Sequence, residues 1–395
     1  MKLSDRVARM KPSATMAMDA KAKEMIAQGK DVLSFALGEP DFPTPEPICE
    51  AGIRAIRDGH TKYTPASGTA RLKSAICAAT ERDLGLAVKP AEVCVGNGAK
   101  HVLANTFGAL LDPGDQVILI APYWVSYADL IELFDGTWTA VRAPAERDFV
   151  PDMAAVEAAV TDRTVAVLIN SPSNPTGGVF ARSDIEALAD LALRRDLTII
   201  SDEIYKHILF DGRTHYSPAM VSDEVRQRTI LVDGVSKTYS MTGWRIGWMV
   251  APEAFTKGVA TLQSQMTSNP NSIAQEAAAD ALLGPQEAVE AMRAEFEQRR
   301  DLVVRLLNGI DGLTCRMPGG AFYAFPDVSS HFGRTLRGRT LHTSTDVSAY
   351  LLDEGLVSTV PGEAFGVSDN IRLSFACSTE EIEQGCARIA EALEG

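Results

Sequence analysis

Val165-Ala166-Val167-Leu168-Ile169-Asn170-Ser171-Pro172-Ser173-Asn174-Pro175-Thr176-Gly177 is a short apolar run that breaks into a polar turn. Five apolar residues in a row, closed by turn formers, read as a strand buried on both faces, as in a parallel sheet. The pattern recurs on either side. Further candidate strands are Val93 to Gly96, Gln116 to Ile120, Leu197 to Ser201, Thr229 to Asp233 and Ile246 to Val250. Between them, Ala99 to Leu111 and Ser183 to Arg194 carry apolar residues at helical spacing, and Asp112-Pro113-Gly114-Asp115 is a strong turn. Strands alternating with helices predict a doubly wound α/β core with a mostly parallel sheet.

Beyond this core the pattern changes. Gln286 to Asn308 reads as one long, charge-rich helix, followed by short strands around Phe322 to Phe325, Leu356 to Val360 and Ile371 to Phe375. The first 45 residues hold a short helix and the Gly/Pro-rich stretch Gly38-Glu39-Pro40-Asp41-Phe42-Pro43-Thr44-Pro45, too little for a domain of their own. A large α/β domain over 46–290 and a smaller α+β domain made of 1–45 with 291–395 are expected.

The chain has 395 residues, 46% hydrophobic and 23% charged, and a formal net charge of -14. That composition predicts a globular protein with a large core, and no run of Lys or Arg stands out that could follow a phosphate backbone. Nucleic acid is not an expected partner. Nor is a membrane, because no stretch reaches the roughly 20 apolar residues needed to cross a bilayer. The N-terminus lacks the apolar core of a signal peptide, so a cytoplasmic location is expected. Six cysteines without a C-x-x-C pair fit neither a disulfide framework nor a zinc site, and His101, His207 and His215 have no metal-like spacing.

Ligands in open α/β sheets collect outside the carboxyl ends of the strands. The residues that follow the strands are Asn97-Gly98-Ala99-Lys100, Pro122-Tyr123-Trp124, Ser171 to Gly177, Asp202-Glu203-Ile204-Tyr205 and Ser236-Lys237. One edge thus gathers a glycine turn, an aromatic ring, an amide, a carboxylate with a phenol, and a lysine. A lysine amine condenses with an aldehyde, a carboxylate holds a pyridine nitrogen protonated, and a phenol or amide hydrogen-bonds a ring oxygen. That set matches the needs of pyridoxal 5'-phosphate. Its phosphate would take backbone N–H groups where Gly98-Ala99 opens a helix, together with Arg245. Taken singly, each residue has an ordinary reading: a solvated lysine, a helix-capping Asp202, a core Trp124, a turn at Asn174-Pro175.

The run Ser236-Lys237-Thr238-Tyr239-Ser240-Met241-Thr242-Gly243-Trp244-Arg245-Ile246-Gly247 resembles the segment of class I aminotransferases that carries the cofactor lysine. Lys11-Pro12-Ser13-Ala14-Thr15, Gly38 to Phe42, Lys62-Tyr63-Thr64-Pro65, Pro122 to Tyr127 and Asn174 to Gly177 narrow the resemblance to the 1-beta aspartate aminotransferases, including those that use prephenate. It runs from about residue 4 to the C-terminus and implies the fold-type I architecture, with a seven-stranded sheet. It also implies roles. Lys237 would be the cofactor lysine and proton carrier, Asp202 the partner of the ring nitrogen, Tyr205 and Asn174 the partners of the ring oxygen, and Trp124 the stacking ring. Gly98, Ala99, Ser236 and Arg245 would face the phosphate, and Lys100 in the same loop would also touch the cofactor. Arg372 would grip the substrate α-carboxylate, helped by Gly38 and Asn174. Tyr63 would reach the neighbouring subunit's cofactor, which implies a homodimer with shared sites.

In the other aspartate aminotransferase subgroup a partner-subunit arginine takes the distal carboxylate, but Ser268-Asn269-Pro270-Asn271-Ser272 offers none. The 1-beta resemblance assigns that task to Lys100 and Thr15, and links Lys11 with prephenate. Two positions depart from the pattern: the family's Gly-Gly-Lys-Gln loop is Gly98-Ala99-Lys100-His101, and the serine three before the lysine is Gly234. The expected reaction is transamination between aspartate, or a related acidic amino acid, and 2-oxoglutarate, with prephenate as a further acceptor. The rivals are transamination of aromatic or other neutral amino acids, β-elimination on the same cofactor, and a cofactor-sensing regulator. A regulator is not expected, since the family pattern opens within the first few residues.

Overall fold

A computed structural model describes the whole chain except residues 9, 11–13 and 395, and of residues 6, 14 and 15 only the backbone. Its centre is a seven-stranded sheet in the order Val93–Gly96, Gly247–Val250, Thr229–Gly234, Thr198–Asp202, Thr164–Asn170, Gln116–Ala121, Thr137–Arg142. Only Gly247–Val250 runs against its neighbours; the other pairs are parallel. All six strands expected from the sequence are present, within a residue or so at each end.

The seventh, Thr137–Arg142, carried no apolar run. It forms the sheet edge beside Gln116–Ala121, and only Val141 of its six residues is buried. A strand covered on one side alone has no reason to be apolar throughout.

The reason for the continuous runs elsewhere is visible in Gln116–Ala121. Val117, Leu119 and Ala121 pack with Val102 and Phe107 on one face, while Ile118 and Ile120 pack with Ile185 and Leu188 on the other. Alternate side chains of a strand point to opposite faces, so helices on both sides bury both sets. Each fully buried Leu or Ile contributes about 1.5–3 kcal/mol of apolar transfer.

The helix Ala99–Leu110 starts at Gly98, whose φ of 84° and ψ of 161° lie in a region that essentially only glycine occupies. The long helix Glu287–Leu307 forms as expected. It packs in a separate core with Phe322, Tyr350, Ile371 and Phe375. Ile204, Tyr205, Ile208 and Phe210, which directly follow the strand Thr198–Asp202, belong to this same core. The C-terminal part is thereby anchored to the edge where the sheet loops meet.

Short strands complete that part: Val360–Pro361, Ile371–Ser374 and Tyr323–Ala324 form an antiparallel sheet in that order. The expected strand Leu356 to Val360 is divided. Val357–Ser358 pairs in parallel with Leu33–Ser34 of the N-terminal segment, and Val360–Pro361 joins Ile371–Ser374. Among the described residues, the N-terminal segment holds two helices, Asp5–Ala8 and Ala14–Ala27, where one was expected. No helix among the described residues is long and apolar enough to cross a membrane.

Candidate active site

The strands Thr229–Gly234, Thr198–Asp202, Thr164–Asn170 and Gln116–Ala121 lie side by side and parallel, so the loops after their last residues share one edge. At that edge lies a cavity of about 390 Å³. Its walls bring together Gly38, Ala99, Lys100, Trp124, Asn174, Asp202, Tyr205, Ser236, Lys237, Arg245 and Arg372. Gly98 lies directly against Arg245: a Cβ built on it would sit 2.3 Å from Arg245 Nη2. Tyr63 does not line the cavity and is 91% exposed. Lys11 and the side chain of Thr15 fall outside the described residues; Met16, next in the chain, does line the cavity.

Lys237 Nζ donates to the carbonyl of Gly38 at 2.5 Å. No carboxylate forms an ion pair with it among the described residues, and burial lowers its pKa to about 8. Roughly a tenth of the amine is therefore an uncharged nucleophile at pH 7, and about half near pH 8. Asp202 is buried, and burial pushes its carboxyl up to about 6. Its Oδ2 accepts from the Tyr127 hydroxyl at 2.7 Å and its Oδ1 from the Ile204 N–H at 3.3 Å.

Arg372 sits on the central strand of the small sheet and is 2% exposed. It donates from Nη1 to Asn174 Oδ1 at 2.9 Å and from Nη2 to the Ala36 carbonyl at 2.5 Å. Its guanidinium also lies over the rings of Tyr323 and Phe365, 4.6 and 5.1 Å from their centres. Nε has no partner, and no carboxylate pairs with this buried cation among the described residues. Burying an unpaired charge is costly, so the geometry calls for an anion from outside. Lys100 Nζ stands 5.2 Å from the centre of the Trp124 ring. Arg245 donates to the carbonyls of Thr242 and Asn97 at 2.9 and 3.3 Å, which holds it beside the start of the Ala99–Leu110 helix. Among the described residues, four basic side chains, Lys100, Lys237, Arg245 and Arg372, line the cavity with one carboxylate, Asp202, in a chain that is acidic overall.

Three residues of the site escaped the sequence reading. Asn170 donates to the Asp202 carbonyl at 2.9 Å and accepts from the Asn174 N–H at 2.7 Å, tying two loops together. Tyr323 meets Tyr205 hydroxyl to hydroxyl at 2.7 Å. Tyr127 holds Asp202. Asn170 ends its strand and was within reach of the strand-end rule; Tyr127 is three residues after Trp124 in the run Pro122 to Tyr127. Tyr323 gives no comparable signal, because its role comes from packing across 118 residues of chain. Of the histidines, His215 pairs with the buried Glu203 at 2.8 Å and His207 with Asp83 at 3.0 Å. No group of three metal-ligating side chains is found among the described residues.

A family model described as aminotransferase class I and II matches residues 30–389. The chain belongs to that family.

As an aminotransferase it has close relatives over its whole length. It is 47% identical over 389 residues to an aspartate/prephenate aminotransferase of Cereibacter sphaeroides, covering 98% of this chain and 97% of the relative. It is 45% identical over 394 residues to an aspartate aminotransferase of Geobacillus stearothermophilus, covering 100% and 99%. Among solved structures, the aspartate aminotransferase from Rhizobium meliloti superposes with a TM-score of 0.97 at 42% identity, over 100% of this chain and 99% of that one. The Thermus thermophilus aspartate aminotransferase with maleate gives 0.93 at 41%, over 99% and 100%. The fold is therefore fold-type I, and the aminotransferase depends on pyridoxal 5'-phosphate. The donor set fits that group: a buried amine near its titration point, a buried carboxylate, and a glycine whose missing side chain leaves room for an arginine at a helix start.

Proposed function

We propose that this aminotransferase transfers the amino group of L-aspartate, or of a related acidic amino acid, to 2-oxoglutarate, and that it also accepts prephenate. The observation that carries this is Arg372: buried, without a carboxylate partner among the described residues, and lining a cavity with three other basic side chains. Dicarboxylate reactants supply what those cations lack. The names of the relatives agree, and so does the maleate, itself a dicarboxylate, in the Thermus thermophilus structure.

Arg372 would release the Ala36 carbonyl and take the α-carboxylate in a bidentate pair, with Asn174 steadying the guanidinium from the other side. Lys100 and Thr15 would take the distal carboxylate, and Lys11 would favour prephenate. Pyridoxal phosphate, when bound, supplies an electron sink for the pair left when the α-proton departs. Lys237 would carry that proton: released from the Gly38 carbonyl, its uncharged Nζ would take the proton from the substrate α-carbon as general base and later give it back as general acid. Asp202 would hold a proton on the ring nitrogen, Tyr205 and Asn174 would hydrogen-bond the ring oxygen, and Trp124 would stack. Gly98, Ala99, Ser236 and Arg245 would hold the phosphate. Residues 46–290 would form the large unit and 1–45 with 291–395 the small one that closes over it. Tyr63, exposed in the single chain, would complete the site of a second copy in a homodimer.

The test compares kcat/KM for aspartate, glutamate, phenylalanine and prephenate in the wild type, Lys100→Ala and Lys11→Ala. The proposal expects aspartate and glutamate to lead, Lys100→Ala to weaken both, and Lys11→Ala to act mainly on prephenate. Phenylalanine matching aspartate, with Lys100→Ala without effect on aspartate, overturns the dicarboxylate reading.

A further inference from the structure

Asp202 is held by little. Its two carboxylate oxygens receive one main-chain N–H, from Ile204 at 3.3 Å, and one side-chain donor, the Tyr127 hydroxyl at 2.7 Å. No lysine or arginine pairs with it among the described residues. Tyr127 is 1% exposed, and its ring meets that of Trp124 edge-on, centres 5.3 Å apart and planes at 84°. One side chain thus touches two groups that face the same cavity.

We propose that Tyr127 is a positioning residue for the cofactor ring: its hydroxyl keeps the Asp202 carboxylate ionised and aimed into the cavity, while its ring sets the tilt of Trp124. This rests on the reading of Asp202 as the partner of the ring nitrogen. The groups around Asp202 explain why such a donor is needed. Burial raises its pKa, the nearby carboxylates Asp233 and Glu203 raise it further, and Tyr127 and the Ile204 N–H oppose them. Tyr205 lies close by, and the Lys237 amine faces Asp202 across the cavity.

A phenol suits the task. Burial and Asp202 itself hold its proton on far above the usual tyrosine range, so it donates at every working pH without adding a charge to a site that must receive a cationic ring. The ordinary alternative is that Tyr127 is only a core aromatic. Tyr127→Phe keeps that packing and removes the hydroxyl alone, which separates the two.

The experiment titrates pyridoxal 5'-phosphate into the apoproteins of wild type, Tyr127→Phe, Asp202→Asn and the double variant, from pH 5 to 9. Intrinsic fluorescence gives Kd, and the absorbance of the bound cofactor is followed alongside. A hydrogen bond to a buried charge is lost, so Tyr127→Phe is expected to raise Kd on the order of ten- to a hundredfold. The weakening at acid pH is expected to begin about one unit higher, because Asp202 without its donor protonates sooner. In the Asp202→Asn background the effect of Tyr127→Phe should fall to about threefold or less. An unchanged Kd and pH profile in Tyr127→Phe, or an undiminished effect beside Asp202→Asn, overturns the inference while the Asp202 reading stands. Asp202→Asn that binds cofactor like the wild type overturns both.

Discussion

Asn174 Oδ1 and Arg372 Nη1 meet at 2.9 Å across 198 residues of chain. One comes from the loop after a central strand of the large sheet, the other from the middle strand of the small one. This bond fixes one arm of the guanidinium and leaves the other on a main-chain carbonyl that a carboxylate can replace.

Arg372→Lys keeps the charge and loses the planar fork. The expected result is a fall in kcat/KM for every amino acid substrate, on the order of ten- to a hundredfold, with most of it in KM. Steady-state kinetics on aspartate and glutamate check this, and equal KM values in variant and wild type would remove Arg372 from the substrate site.

Removing the amine altogether tests the other pole of the site. Lys237→Ala should lose the absorbance of the covalently held cofactor and lower kcat by about 10⁴-fold or more, since both attachment and proton transfer disappear. A variant with near-normal turnover would sink the assignment.

The Lys237 amine, lowered to about 8 by burial, sets a pH dependence for cofactor capture. The attacking form is the unprotonated one, so it is scarce below that pH and dominant above it. Recombination of apoprotein with cofactor, followed by stopped-flow absorbance, should quicken by up to about tenfold per pH unit below 8 and level off above it. A rate that keeps climbing beyond pH 10 would mean an unperturbed lysine.

At Gly98 the backbone occupies a glycine-only region, and an added Cβ would strike the Arg245 guanidinium. Gly98→Ala should cost about 1–3 kcal/mol of stability in urea unfolding. Cofactor affinity should fall as well, because Arg245 must move.

Behind the active-site edge, Lys206 is 7% exposed and bonded to the buried Asp233 at 2.6 Å, with Asp83 at 3.4 Å. Lys206→Met leaves Asp233 without its cation and should cost about 3–5 kcal/mol in the same measurement. Lys206→Met with Asp233→Leu should cost less than Lys206→Met alone.

The large sheet was legible because both of its faces are buried: each strand covered on two sides carries a run of buried apolar residues, and the exposed edge strand Thr137–Arg142 left no such trace. Asp202 ends its strand, and Lys237, Asn174 and Trp124 follow strand ends, where local order places them at one edge. Tyr323 and the hold of Tyr127 on Asp202 depend on which distant segments pack together. A short strand such as Tyr323–Ala324 has no periodicity from which that packing could be read.

The Ala36 and Gly38 carbonyls occupy Arg372 and Lys237 in the free protein. Two carbonyls of the N-terminal segment thus hold the two groups that the proposed reaction would have to engage. Entry and departure are exchanges of partner rather than simple additions. The net driving force would then be the difference between two similar sets of hydrogen bonds, smaller than the new contacts alone suggest.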